Sequence, residues 1–435
     1  ARLRAGEDPW PGLHGFEDTV IPQVERALLA GHDIVLLGER GQGKTRLLRS
    51  LVGLLDEWTP VISGSELGEH PYDPITVTSQ QAVAAHGDDL RVSWRHRDER
   101  YAEKLATPDT SVADLIGDVD PMKVAEGRHL GDPETIHFGL IPRSHRGIVA
   151  INELPDLAER IQVAMLNVME ERDIQIRGYV LRLPLDVLVV ASANPEDYTN
   201  RGRIITPLKD RFGAEIRTHY PDEVEEEIVL VAQEARLVAD VPVHLIEAVA
   251  RLTRGLRESP SVDQRSGVSA RFAIAAVEAI SASALRRSAR TGEDVAVARV
   301  CDLPGVLPTL LGKVEFEMGE EGREEEVVGH LMRVAVAETF RDRLHGLDLS
   351  GFTDLFAEGA TVETGELVTS DELLHQVGTV PGLAKVLDRL GYGDGPPGPG
   401  QVAAAVELVL EGLHLTRRID KTPSRDGSGR SVYGV

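Results

Sequence analysis

The stretch DIVLLGERGQGKTRLLRSLVGLL, Asp33 to Leu55, decides the fold class. Its first part, Asp33–Gly38, is a short and almost continuously apolar run, the composition of a strand covered on both faces. Its last part, from Arg46 onward, reads as a helix. Between them Gly38–Thr45 (GERGQGKT) fits G-x-x-x-x-G-K-[ST], with the strand before and helix after that this pattern demands. The glycines let backbone N–H groups wrap a β-phosphate, and the helix N-terminus adds a favourable dipole. Gly38, Glu39, Arg40, Gly41, Gln42, Gly43, Lys44 and Thr45 are therefore the candidate nucleotide-binding residues. Lys44 is expected to reach the β- and γ-phosphates of ATP, and Thr45 to hold Mg²⁺. A glycine-rich turn with no ligand leaves Lys-Thr at a helix start unexplained.

Outward from this stretch, strand-like runs alternate with helical patterns from about Phe16 to Tyr220, the signature of an α/β domain with a parallel sheet. Gly147–Ile151 (GIVAI) and Asp186–Ala193 (DVLVVASA) are the clearest further strands. Residues 221–345 change texture to Ala, Leu, Val, Glu and Arg at helical spacing, which predicts a separate helical lid domain. The remainder, 346–435, is expected to be a mainly helical extension with a basic tail. Thr369–Glu372 (TSDE) reads as a capping box, and Gly393–Gly400 (GDGPPGPG) as a loop or linker. The tail Thr416–Val435 carries five Arg or Lys against two Asp, and reads as an exposed end or a segment docked on an acidic neighbour.

Three polar residues at two strand ends, and two arginines, complete the candidate chemistry. In phosphate-loop ATPases a second strand ends in an acid that anchors the magnesium shell. Here that strand ends in Asn152-Glu153. Glu153 can polarise an attacking water. Asn152 can hold a metal-bound water through its carbonyl oxygen but brings no charge, so weaker Mg²⁺ binding is expected and Asn152→Asp should tighten the Mg²⁺ dependence. Asn194, ending the next buried strand, can orient that water. Arg211, in Pro207–Gly213 (PLKDRFG), can act as an arginine finger on a neighbouring subunit. Arg271 opens a helix, where it opposes the helix dipole unless an external anion such as a γ-phosphate sits there.

Composition bounds the rest. The 435 residues carry a formal charge of −24, a field that repels a phosphate backbone and disfavours non-specific nucleic-acid binding. A protein partner is the better expectation. The single cysteine, Cys301, allows neither an intramolecular disulfide nor a cysteine metal cluster, which fits a reducing cytosol. No apolar run approaches the roughly 20 residues of a membrane span, so a cytoplasmic location is expected. His129, His137 and His145 stand eight apart, share no helical face and do not read as a zinc site.

The order phosphate loop, strand-Glu, strand-Asn, Asp-Arg-Phe, then Ser-Ala-Arg resembles the AAA+ superfamily. Two features resemble its MoxR and magnesium chelatase group more narrowly. SVADLIGDVDPMKVAEGRHLGDPETIHFGLIPRSHRG, from Ser111, looks like the group's helix-2 insertion (about 111–146). NVMEERDIQIRGYVLRLPLDVLVV, from Asn167, looks like its extra hairpin (about 172–183), with Gly178 and Tyr179 turning the chain. The segment VISGSELGEHPYDP, from Val61, is also similar to that after the first helix in the magnesium chelatase ATPase subunit. The resemblance covers roughly residues 13–290. It implies hexameric rings with ATP at subunit interfaces, and a remodelling task on a protein that commonly carries a von Willebrand A domain. It also implies catalytic Glu153, Asn194 as sensor 1, Arg211 as the finger and Arg271 as sensor 2. Asn152 departs from the group's Asp. Two further readings stay open: a nucleotide-dependent scaffold with little hydrolysis, and the ATPase subunit of a true metal chelatase acting on a tetrapyrrole. A DNA motor fits least, because the charge opposes it and the Gly-Ala-Phe-Thr-Gly-Ala loop of enhancer-binding activators is absent.

Overall fold

The computed structural model describes residues 2–120, 122, 125, 135–176, 179–181, 183–194, 202–263, 267–357, 359–393, 395–424 and 430–434. They form two compact units, Ala1–Tyr220 and Pro221–Val435.

The first unit is built on a five-stranded sheet of β1 (Ile34–Leu37), β2 (Tyr101–Leu105), β3 (Gly147–Asn152), β4 (Val187–Ala193) and β5 (Ala214–Arg217). The spatial order is β5-β1-β4-β3-β2, and every neighbouring pair is parallel. β1 and β3 are buried at every position, as their unbroken apolar runs require. Alternate residues feed two different cores. Val35, Leu37, Val149, Ile151, Val189 and Ala191 pack on one face. Ile34, Leu36, Ile148, Ala150 and Val190 pack on the other, against Leu47, Leu48 and Leu51. Those leucines belong to α1 (Lys44–Ser50) and the 3₁₀ turn Leu51–Leu54 that continues it. The two-residue period then carries Asn152, Ser192 and Asn194 to the α1 face.

Around this sheet, Trp58–Ile62 and Val92–His96 form a separate antiparallel pair. Ser111 and Asp114 close a capping box on the turn Val112–Leu115, and Gly117–Val119 pairs antiparallel with Ile136–Phe138. The insertion expected over 111–146 is thus described in part, because residues 121, 123, 124 and 126–134 lie outside the described residues. After α2 (Glu159–Glu170), Ile174–Ile176 pairs antiparallel with Tyr179–Leu181. Tyr179 faces Ile176 within the ladder, so it is a strand residue and not a turn residue as expected. Gly178 lies outside the described residues.

The second unit is mainly helical, with α3 (Val224–Glu234), α4 (Val243–Glu258), α5 (Ala270–Thr291), α6 (Glu324–Arg343) and α7 (Pro399–Leu415). Residues expected to form a third segment share its core: Phe352, Phe356, Leu373, Leu408 and Tyr433 cluster with Leu245, Phe272, Val328 and Phe340. α7 approaches α6 so closely that a Cβ on Gly412 would lie 2.1 Å from ring carbons of Phe340. Pro399 and Gly400, expected in a loop, are the first residues of α7, because proline's missing N–H costs nothing in a first helical turn. The TSDE box does cap a helix, Ser370–Val377.

The basic tail contributes to a small antiparallel sheet rather than to the helical extension expected over 346–435. Its strands are β6 (Val362–Thr364), β7 (Asp420–Pro423) and β8 (Ser431–Gly434), in the order β6-β8-β7. Here the tail meets acids of its own unit. Lys421 donates to Glu411 at 2.7 Å, Arg430 to Glu363 at 3.0 Å, and the buried Tyr433 hydroxyl donates to Glu411. No described helix is long and apolar enough to cross a membrane.

Candidate functional site

The site begins where β1 ends. Gly38–Gly43 turn the chain into α1, and Gly41 and Gly43 take positive φ of 79° and 74°, a conformation that a side chain would strain. Left-handed glycines of this kind can aim successive N–H groups into one concavity, the arrangement that holds a phosphate. Lys44 is buried, and its ammonium donates to the carbonyl of Gly38, to that of Glu39 at 2.6 Å and to the side-chain oxygen of Asn194 at 2.8 Å. Gln42 is also buried, and its amide oxygen accepts from the Glu39 N–H at 3.0 Å and the Thr218 hydroxyl at 2.9 Å. The Tyr220 hydroxyl donates to the Arg40 carbonyl at 2.7 Å. These contacts tie the loop to the ends of β4 and β5.

One strand further out, β3 delivers Asn152 and Glu153. Asn152 donates its side-chain N–H to Glu103 at 2.8 Å, and its oxygen accepts from the Ser192 hydroxyl at 3.1 Å. The orientation of this amide follows from chemistry, since a carboxylate only accepts and the NH₂ must face it. Ser192 also accepts from the backbone N–H of Glu153 at 3.3 Å. Glu153 stands at φ 57°, left-handed for a non-glycine residue, at the point where the chain leaves the sheet. Glu103 comes from β2, where its register partner is Ala150 on the α1 face of β3. It is gripped by Arg49 of α1 through two bonds, at 2.8 and 2.9 Å, and by the Tyr101 hydroxyl at 3.2 Å. The Arg49 bonds hold the Glu103 carboxyl below the usual carboxylate range. Burial, reinforced by Glu103, pushes the Tyr101 phenol up.

The structure therefore brings Asn194, Asn152 and Glu153 to neighbouring strand ends of one sheet, with Lys44 bonded to Asn194 from the first turn of α1, where Thr45 follows it. Arg211 lies apart from this cluster. It follows the short helix Thr206–Lys209, donates to Glu170 at 2.8 Å and through a second nitrogen, and donates to the Pro207 carbonyl at 2.7 Å. Arg271 belongs to the second unit, exposed in the first turn of α5, where Ser269 accepts from its backbone N–H at 3.1 Å. His137 lies 3.2 Å from Arg143, and the buried His145 accepts from the Asp186 N–H. His129 lies outside the described residues.

Sequence reasoning missed Glu103, Ser192, Thr218 and Arg49. Ser192 could have been found as a polar residue on the α1 face of an apolar strand, two positions before Asn194. Glu103 carried no comparable signal, because its strand is interrupted by charged residues and its relevance depends on which strand lies beside β3.

Oxygen donors suited to a hard cation are present at this end of the sheet in Thr45, Glu103 and Asn152. They fit Mg²⁺ held largely through phosphate oxygens and water.

The pattern described as the Sigma-54 interaction domain matches residues 124–211. The magnesium-chelatase subunit ChlI of Nephroselmis olivacea is 27% identical over 206 residues, covering 46% of this chain and 54% of that protein. The magnesium-chelatase 38 kDa subunit of Acidiphilium rubrum is 25% identical over 310 residues, covering 70% of this chain and 75% of that protein. Over this core the chain is similar to magnesium chelatase subunits of the AAA+ class. It spans about half the length of several of the ChlI relatives it matches, 54% and 60% in two cases. A cryo-electron-microscopy-based structure of the complex between magnesium chelatase subunits BchI and BchD aligns with a TM-score of 0.39 at 20% identity, over 74% of this chain and 98% of that one.

Proposed function

We propose that the chain binds and hydrolyses ATP as one subunit of an AAA+ ring, and uses the cycle to remodel or activate a protein partner. The observation that carries this reading is the 2.8 Å contact of Lys44 with Asn194 beside the strand end bearing Asn152 and Glu153. A phosphate-binding lysine, a polar strand end and a carboxylate free of sheet pairing meet where a γ-phosphate and its attacking water would lie.

In this reading Gly41, Gly43 and Lys44 bind the phosphates. Lys44 exchanges its present acceptors, the carbonyls of Gly38 and Glu39, for phosphate oxygens. Glu153 takes the proton of the attacking water, and Asn194 orients that water. Thr45, with Asn152 through water, would hold the Mg²⁺, which offsets phosphate charge when bound. Arg211 acts on a neighbouring subunit once it leaves Glu170, and Arg271 serves as the second sensor.

A hexameric ring and a von Willebrand A partner extend the same reading. Both rest on the resemblance alone, since the names of the relatives say only that they are subunits of a magnesium chelatase. Service as the ATPase subunit of a metal chelatase is consistent with it. The match to the Sigma-54 interaction domain covers the part of the core that holds β3 and β4, and the loop specific to those activators is absent from the sequence.

The deciding experiment is an ATPase assay on purified protein with and without Mg²⁺, beside Glu153→Gln. Absence of Mg²⁺-dependent turnover in the wild type would sink the motor reading and leave a nucleotide-dependent scaffold.

A further inference from the structure

We infer that the acid of this nucleotide site has moved one strand over, from position 152 to Glu103, and that Asn152 and Glu103 form an exchanged pair. This rests on the ATP reading above and deepens it.

The argument is one of geometry and charge. Asn152 and Glu103 face the same side of the sheet, toward α1, and are joined by a 2.8 Å hydrogen bond that only an amide at 152 can donate. A carboxylate in place of Asn152 would set two like charges at hydrogen-bond distance, which raises the pKa of one or expels it. An acid at 152 and an acid at 103 are therefore alternatives here. The amide is fixed at both ends. Glu153 N–H donates to Ser192 Oγ, Ser192 donates to Asn152 Oδ1, and Asn152 donates to Glu103. Every donor in this chain points toward the Glu103 carboxylate, so its charge orders the strand end that carries Glu153.

Arg49 completes the arrangement. It grips Glu103 with two bonds from the helix that begins at Lys44 and Thr45, yet 64% of its side chain is exposed. A cation this exposed is the component most readily displaced. A divalent ion arriving with the phosphates competes with Arg49 for Glu103, and the carboxylate lacking at 152 is supplied from β2.

The test measures binding of a fluorescent ADP analogue as a function of Mg²⁺, together with melting of the nucleotide-free chain. Glu103→Gln is expected to weaken Mg²⁺-dependent binding about tenfold, the scale of losing one nearby opposite charge. Asn152→Asp alone is expected to lower the melting temperature near neutral pH. The exchange variant Glu103→Gln with Asn152→Asp is expected to recover both. Arg49→Gln removes the competing cation and is expected to lower the Mg²⁺ concentration needed for half-maximal binding.

An exchange variant no better than its worse single parent would overturn the assignment. So would Mg²⁺-dependent binding that ignores Glu103→Gln and Arg49→Gln, since Glu103 would then only clamp α1. Nucleotide binding absent from the wild type, with or without Mg²⁺, would overturn the ATP reading itself and this assignment with it, an outcome distinct from the previous two.

Discussion

The ammonium of Lys44 lies 2.8 Å from the side-chain oxygen of Asn194, so the loop after β1 and the end of β4 meet through a charged contact, beside the 3.2 Å bond from the Gly38 N–H to the Ala193 carbonyl. Lys44 and Asn194 are expected to fail differently when removed. Lys44→Ala deletes the charge that would meet phosphate, and nucleotide affinity should fall by about a hundredfold, since hydrogen bonds to charged groups are the strong ones. Asn194→Ala leaves that charge in place. Binding should change by less than about threefold, while turnover falls by about a hundredfold, in line with loss of one oriented polar group from a reacting centre. Equal loss of binding in both variants would mean that Asn194 only holds Lys44 in place.

Glu153 combines a reactive group with an unusual backbone. Its φ of 57° is tolerated because the strand end is fixed by its N–H bond to Ser192. Glu153→Gln has the same backbone preference, so its melting temperature should match the wild type. Turnover should fall by about 10²- to 10⁴-fold, the range for loss of a general base, with nucleotide binding retained. A variant that melts early and binds poorly would make Glu153 a structural corner.

The α/β core was legible because fully covered parallel strands are apolar throughout, and β1, β3 and β4 announce themselves without any partner. Glu153 and Asn194 were legible for a related reason, as polar residues that end such runs, and Lys44 was legible from the Gly38–Thr45 pattern. What could not be read was lateral. β2 is interrupted by charged residues, and only the order β5-β1-β4-β3-β2 sets Glu103 beside Asn152. The tail was legible only in part. Its basic composition reads as an exposed end or a docked segment, and only the fold shows that Lys421 and Tyr433 are held by Glu411 of α7.

Arg211 is tied within its own unit to Glu170, whose side chain is half exposed. An exposed ion pair contributes at most about 1 kcal/mol, so releasing it is not costly. Glu170→Ala is therefore expected to keep or modestly raise turnover, whereas Arg211→Ala should lower it by about 10³-fold or more if it serves as a finger. Mixing Arg211→Ala with Glu153→Gln subunits distinguishes action across an interface: partial recovery is expected, because some interfaces then pair an intact Glu153 with an intact Arg211. No recovery at any mixing ratio would assign Arg211 to its contact with Glu170 alone.

His244 offers a test of the second unit by pH. It is buried in α4, its two ring nitrogens have no hydrogen-bond partner among the described residues, and burial, with Arg343 adding, lowers its pKa to about 3. An imidazole in the unfolded chain titrates near 6.5. Between these values the unfolded chain binds a proton that the folded chain refuses, so stability falls as pH drops below about 6.5, with a slope approaching about 1.4 kcal/mol per pH unit. The loss levels off near pH 3, where the folded form also takes the proton. His244→Leu removes this limb and, because no hydrogen bond is lost, should leave stability at pH 7 unchanged or improved. Denaturant midpoints of the two proteins should coincide or slightly favour the variant at pH 7, then diverge in its favour at pH 5 and further at pH 4. Parallel midpoints across that range would place the acid sensitivity of this unit elsewhere.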